Sequence, residues 1–206
     1  MKTIKAVLFD LDGVLVNMPD AHYTALNQAL GLFGARIEED EHHNHFNGLP
    51  SRKKIAELEN TGRLPKGLIE FINNIKQQYT KDLIPQYCPP DYSKIILLRH
   101  LKEAGIKIAC CSNSIQETLH AMLKSALLFN QFDLIIGNDE VSQAKPDPEM
   151  YTLAMSRLNV TPQETLIIED SPHGIEAAKA SGAFVYEVRG VDDVNLSLFK
   201  DILNYE

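Results

Sequence analysis

Val7-Leu8-Phe9 is a short run of strand formers that stops on Asp10, with a second aspartate, Asp12, one residue further on and then Gly13. An uninterrupted apolar run of this length reads as a strand covered on both faces, and such strands occur in parallel sheets. A parallel sheet needs crossover helices, which restricts the chain to an α/β architecture. Carboxylates at the carboxyl end of a buried parallel strand stand where open α/β sheets bind their ligands. Aspartates also serve simply as turn formers after a strand, so the remainder of the chain has to decide between the two readings.

That remainder alternates. A helical region opens near Pro19-Asp20 and ends between Gly31 and Gly34, Ser51 is placed to cap a helix over Arg52 to Glu59, and Pro65 opens a further helix through Tyr79. Tyr87 to Asp91 reads as a linker. Beyond it the pattern predicts helix 95–103, strand 106–111, helix 116–127, strand 132–136, a helix ending at Leu158, strand 165–168, a helix begun by Ser171-Pro172, strand 184–188 and a last amphipathic helix 194–203. Asp147-Pro148-Glu149 has the composition of a helix start, and Thr161 to Glu164 the spacing of a capping box. The expected fold is therefore a doubly wound parallel sheet. The interval between its first two strands far exceeds the ~30 residues of a βαβ unit. A helical domain inserted after the first strand explains it, giving a core of residues 1–14 and 87–206 and an insertion of residues 15–86.

Composition narrows the function. A formal net charge of −8 argues against nucleic acid or an anionic membrane as partner, and no stretch approaches a transmembrane span. The early stop at Asp10 is not that of a signal peptide. Three cysteines, with Cys110 and Cys111 adjacent in an apolar run, suit buried free thiols in a reducing cytosol rather than a disulfide framework. The expectation is a cytoplasmic protein, monomeric by default.

Four polar features fall at or just beyond strand ends: Asp10 with Asp12, Ser112 with Asn113, Lys145, and Glu169 with Asp170. In a parallel sheet the carboxyl ends share one edge, so these residues can converge on one pocket. Crowded carboxylates need a cation, and an oxygen-only set suits Mg²⁺. A lysine with hydroxyl and amide donors suits the peripheral oxygens of a phosphate. One carboxylate attacking phosphorus and another moving the proton would divide phosphoryl transfer into two displacements.

Asp10-Leu11-Asp12-Gly13-Val14, Ser112-Asn113-Ser114, Lys145-Pro146-Asp147-Pro148 and Glu169-Asp170-Ser171-Pro172-His173-Gly174 together resemble the four motifs of the haloacid dehalogenase superfamily. The resemblance runs from Ile4 to Val188 and is nearest the branch with a small helical cap, which holds β-phosphoglucomutase and sugar-phosphate phosphatases. It implies Asp10 as nucleophile and Mg²⁺ ligand, and Asp12 as general acid/base with its backbone carbonyl on the metal. It implies Ser112 and Asn113 holding the phosphoryl group, Lys145 neutralising it, Asp170 ligating Mg²⁺ and Glu169 supporting that shell. His22 falls where the mutase branch has a histidine facing the site, and Gly48, Ser51 and Arg52 resemble its specificity loop, with Arg52 placed to meet a distal anion or to remain a solvated charge. His42, His43 and His45 read as a solvated surface.

Two departures direct the reading. The second aspartate, Asp12, is absent from true dehalogenases, so dehalogenation is not expected. Asn47 stands where the mutase branch has lysine and Met18 where it has threonine, which favours a phosphatase acting on a small phosphorylated metabolite such as a sugar or polyol phosphate. A phosphomutase is the enzymatic alternative. A phospho-acceptor regulatory module is the alternative of another class, and the inserted helices argue against it.

Overall fold

A computed structural model describes residues 4–46 and 49–203 of the chain. Five parallel strands, β1 (Ala6–Phe9), β2 (Lys107–Cys111), β3 (Leu134–Ile136), β4 (Thr165–Glu169) and β5 (Phe184–Glu187), form one sheet in the order β3-β2-β1-β4-β5. Register pairs Phe9 with Cys110 on one side and Ile168 on the other, so the carboxyl ends of the central strands are level. The chain reverses its direction of travel across the sheet at β1, which makes that carboxyl edge the topological switch point.

Alternation along each strand feeds two apolar layers. Val7, Phe9, Ile108, Cys110, Leu166 and Ile168 face a layer that includes Leu97, Leu101, Leu119 and Phe199. Ala6, Leu8, Ala109, Cys111 and Ile167 face the other, with Tyr151, Ala154 and Ala177. These come from α5 (Tyr92–Glu103), α6 (Gln116–Ser125) and α9 (Leu196–Leu203) on the first side, and α7 (Glu149–Leu158) and α8 (Pro172–Ala180) on the second. Cys88, Cys110 and Cys111 are buried free thiols, as expected.

Between β1 and α5 the chain is helical: α1 (Pro19–Gly31), α2 (Glu39–Glu41), a π-helical turn (His42–Phe46), α3 (Ser51–Asn60) and α4 (Ile69–Tyr87). Leu26, Leu30, Ile37, Phe46, Ile55, Leu58 and Ile72 make a separate apolar cluster here, while Met18, Ala21, Ile84 and Cys88 pack with the sheet. Asn27 closes the turn after α1 by bonding both the amide and the carbonyl of Ile37 at 2.9 Å. Thr118 Oγ1 donates to Gln77 Oε1 at 2.9 Å and Lys81 pairs with Glu117 at 2.6 Å, fixing α4 against α6. Among the described residues no helix is long and apolar enough to cross a membrane.

Several boundaries differ from expectation for local reasons. Ser51 is the first residue inside α3 rather than its cap, because the extended Pro50 already occupies the N-cap position. Pro65 opens nothing; α4 starts at Ile69 and runs through Pro85 to Tyr87. Helix α7 begins at Glu149, yet Asp147 Oδ1 still accepts its first amide at 2.9 Å. At Thr161 the amide donates to Glu164 Oε2, as capping-box spacing predicts. His42 is buried, its ring 4.9 Å from that of Tyr23, instead of lying on a solvated surface.

Candidate active site

The sheet ladder places the floor of the site. Asp10 follows β1 and its amide donates to Ile168 at 3.0 Å; Ser112 follows β2 and its amide donates to Ile136 at the same distance. Gly13 then turns the chain at φ +86°, and a Cβ there would stand 2.1 Å from Asp170 Oδ2. Glycine is required both for the turn and for the approach of that carboxylate.

Lys145 is the centre of the buried charge network. Its ammonium donates to Asp10 Oδ1 at 2.6 Å, Glu169 Oε1 at 2.7 Å and the Cys111 carbonyl at 2.9 Å, which uses all three donors. The ammonium also lies 4.7 Å from the centre of the Tyr151 ring. Burial opposes its charge, but Asp10 and Glu169 outweigh that and hold its pKa well above the ordinary lysine value. Glu169 is fully buried and also accepts from Tyr151 Oη, Ser171 Oγ and the amides of Asp170 and Ser171. Both Glu169 oxygens thus accept from protein donors, which ties Lys145, Tyr151 and the turn into α8 together. Asn113 grips the Lys145 backbone from both sides, amide to carbonyl, and its own carbonyl accepts from Asn138 Nδ2. The Asn113 side chain thus ties the Lys145 segment to the end of β2, and Asn113 also lines the cavity. Ser112 Oγ accepts from the Ser114 amide, which leaves its O–H to donate into the cavity.

Asp10, Glu169 and Asp170 bring carboxylate oxygens within 4.8 Å of one another. Burial, reinforced by Glu169 and Asp170 against the pull of Lys145, raises the Asp10 pKa well above the carboxylate range. Burial, Glu169 and Asp12 push Asp170 up to about 7. Asp170 Oδ1 is buried without a hydrogen-bond partner among the described residues. An orphaned carboxylate oxygen beside two more carboxylates is what a hard divalent cation satisfies, so these residues fit Mg²⁺.

Asp12 has a different partner. His22, from α1, lies with Nε2 3.2 Å from Asp12 Oδ1, and its Nδ1 is 3.1 Å from Lys76 Nζ. A neutral ring with its proton on Nε2 satisfies both contacts. Burial and Lys76 lower the His22 pKa, in keeping with that form. For Asp12 burial raises the pKa, but His22 and Lys76 outweigh it and leave the carboxyl below its usual range.

The floor and the helical segment enclose a cavity of about 140 Å³. Its roof carries Lys54, Lys76, Asn73 and Gln77, none of which stood out in the sequence. The signal existed in part: Ile72, Lys76, Thr80 and Ile84 are four residues apart along the buried stripe of α4, so Lys76 occupies a core position. Arg52 reaches the cavity wall but its guanidinium is about half exposed and paired with Glu70 at 2.7 and 3.0 Å. Gly48 and Asn47 lie outside the described residues.

Comparison with known proteins agrees with this architecture. The chain is 30% identical over 179 residues to a phosphorylated carbohydrates phosphatase of Thermotoga maritima, spanning 87% of this chain and 82% of that one. It is 27% identical to β-phosphoglucomutase of Bacillus subtilis across 90% of this chain and 83% of the other. The crystal structure of CbbY from Rhodobacter sphaeroides in complex with phosphate superposes with a TM-score of 0.81 at 25% identity, covering 91% of this chain and 87% of that one. Residues 7–188 match the model of the haloacid dehalogenase-like hydrolases, and the chain belongs to that family.

Proposed function

We propose that the chain is a Mg²⁺-dependent phosphatase that hydrolyses a small phosphorylated metabolite, a sugar or polyol phosphate, through an aspartyl phosphate on Asp10. The observation that carries this reading is the separation of the two aspartates after β1. Asp10 is held by Lys145, and Asp12 by His22, so one carboxylate is positioned to attack and the other to move a proton.

In the first displacement Asp10 forms a bond to phosphorus as the ester P–O bond breaks, and the departing alkoxide takes the proton of Asp12. Approach of the anionic phosphate raises the proton affinity of Asp12 and so loads it as an acid. In the second, Asp12 takes a proton from water, the water oxygen bonds to phosphorus, and the bond to Asp10 breaks. Inorganic phosphate leaves and both aspartates are restored. Ser112 Oγ donates to a phosphoryl oxygen, and Lys145 balances the charge on Asp10. Asp10, the Asp12 carbonyl and Asp170 would hold Mg²⁺, with Glu169 behind them; the ion supplies positive charge to the phosphoryl oxygens. Residues 15–86 act as a cap over a core of residues 1–14 and 87–206, excluding bulk water from the reaction.

The test is a screen of phosphorylated metabolites for Mg²⁺-dependent phosphate release, repeated with Asp10→Asn. The variant should retain its circular dichroism spectrum and lose activity by about three orders of magnitude or more. Retention of most activity would overturn the assignment. Isomerisation of a hexose phosphate without phosphate release would support a mutase instead.

A further inference from the structure

The two walls of the cavity carry opposite charge. The acidic residues lining it are Asp10, Asp12 and Asp170, all on the floor, whereas the roof presents Lys54 from α3 and Lys76 from α4. Both lysines are nearly sealed, at 6% and 4% exposure. Lys76 has the His22 ring as partner, but the Lys54 ammonium makes no hydrogen bond or ion pair among the described residues. The one carboxylate whose charge acts on both lysines is Asp12, and its Oδ1 is already engaged by His22. Burial, with Lys76 adding to it, pulls Lys54 down to about 7, and burial pulls Lys76 down to about 8.

Two largely buried ammonium groups at one wall, with a single carboxylate between them that is already engaged elsewhere, carry an unbalanced charge that is costly. A ligand whose far end is neutral would leave that cost in place. An anionic far end would remove it, and would find the donors already aimed into the cavity. Arg52 does not fill this role, since its fork is occupied by a carboxylate.

We propose that Lys54 and Lys76 form a second anion site in the roof, and that the substrate is a phosphate monoester bearing a carboxylate or a second phosphate at its far end. This rests on the phosphatase reading above and adds the substrate's second charge to it.

Matched pairs of esters test it: glycerol 3-phosphate with 3-phosphoglycerate, glucose 6-phosphate with 6-phosphogluconate, and fructose 6-phosphate with fructose 1,6-bisphosphate. The doubly anionic member should have the higher kcat/KM by about tenfold to a hundredfold. The first two pairs report a carboxylate and the third a phosphate. Lys54→Gln and Lys54→Met should bring the ratio close to unity, and Lys54→Arg should preserve it. Equal or better turnover of the neutral-ended member, or a ratio that survives both charge-removing variants, would overturn the second site alone. Phosphate release from none of the esters would overturn the phosphatase reading and this inference with it.

Discussion

The imidazole of His22 holds the carboxylate of Asp12 across the boundary between the helical segment and the sheet, Nε2 to Oδ1 at 3.2 Å. The contact joins a residue of α1 to the loop after β1, so the orientation of Asp12 depends on where the helices sit. Lys76 on the far side of the ring fixes the tautomer that makes the contact possible.

Removing the ring should therefore act on proton transfer more than on binding. His22→Ala is expected to lower kcat about tenfold to a hundredfold, the range of a lost hydrogen bond to a charged group, with a smaller change in KM. His22→Gln, which keeps a donor, should recover part of the loss. Steady-state kinetics on any accepted ester decide it, and a kcat within twofold of the parent would remove His22 from the mechanism.

Metal binding should register as stability. Asp170, raised to about 7 by burial and neighbouring carboxylates, resists ionisation in the folded chain, so the metal-free protein loses stability as pH rises through 7. At pH 8 a saturating divalent cation should raise Tm by about 5 to 10 °C at a hundredfold excess over Kd. A chelator should reverse the shift. Asp170→Ala should abolish it and be more stable than the parent when both are metal-free, as measured by thermal denaturation. An unchanged shift in the variant would place the ion elsewhere.

Gly174 carries a steric prediction. A Cβ at this position would lie 1.8 Å from Glu169 Oε1, the oxygen that receives both Lys145 and Tyr151. Gly174→Ala must displace that carboxylate or the start of α8, and should cost several kcal/mol of stability, about the 3–5 of a broken buried ion pair. Gly31, at the end of α1, has open space around it, and Gly31→Ala should instead be neutral or stabilising by about 0.5–1 kcal/mol. Urea unfolding of the two variants gives the comparison. Equal midpoints would show that the helix start yields without cost.

The floor of this site was legible because its residues are tied to strand ends. Asp10, Ser112 and Glu169 sit where an apolar run stops, and a parallel sheet brings such stops to one edge regardless of the chain between them. The roof was not, because its chemistry depends on how helices pack. Lys54 and Lys76 have the composition of solvated helix faces, and only the packing of α1, α3 and α4 turns them inward. Tyr151 is similar: a tyrosine on an apolar stripe reads as core, and its bond to Glu169 emerges only when β4 and α7 adjoin. Arg52, the conspicuous charge of the specificity loop, was captured by Glu70 eighteen residues away.

The buried lysine gives a pH signature that needs no substrate. Lys54 has a folded pKa of about 7, with burial as the main cause, against ~10.4 in an unfolded chain. Between these values the unfolded chain holds a proton that the folded chain lacks, so the ionisation penalty is full below pH 7 and fades as pH rises. Lys54→Met removes the penalty at every pH. The parent should therefore be the less stable of the two at pH 7, and the gap should narrow by about 2 kcal/mol by pH 9, at 1.36 kcal/mol per unit less the portion lost near the folded pKa. Taking the difference between the two proteins cancels the titrating groups that do not interact with Lys54, including the buried cysteines that both contain. Urea unfolding at the two pH values measures it. A gap that does not change would mean that Lys54 keeps its proton in the folded chain, balanced by a counter-charge already present.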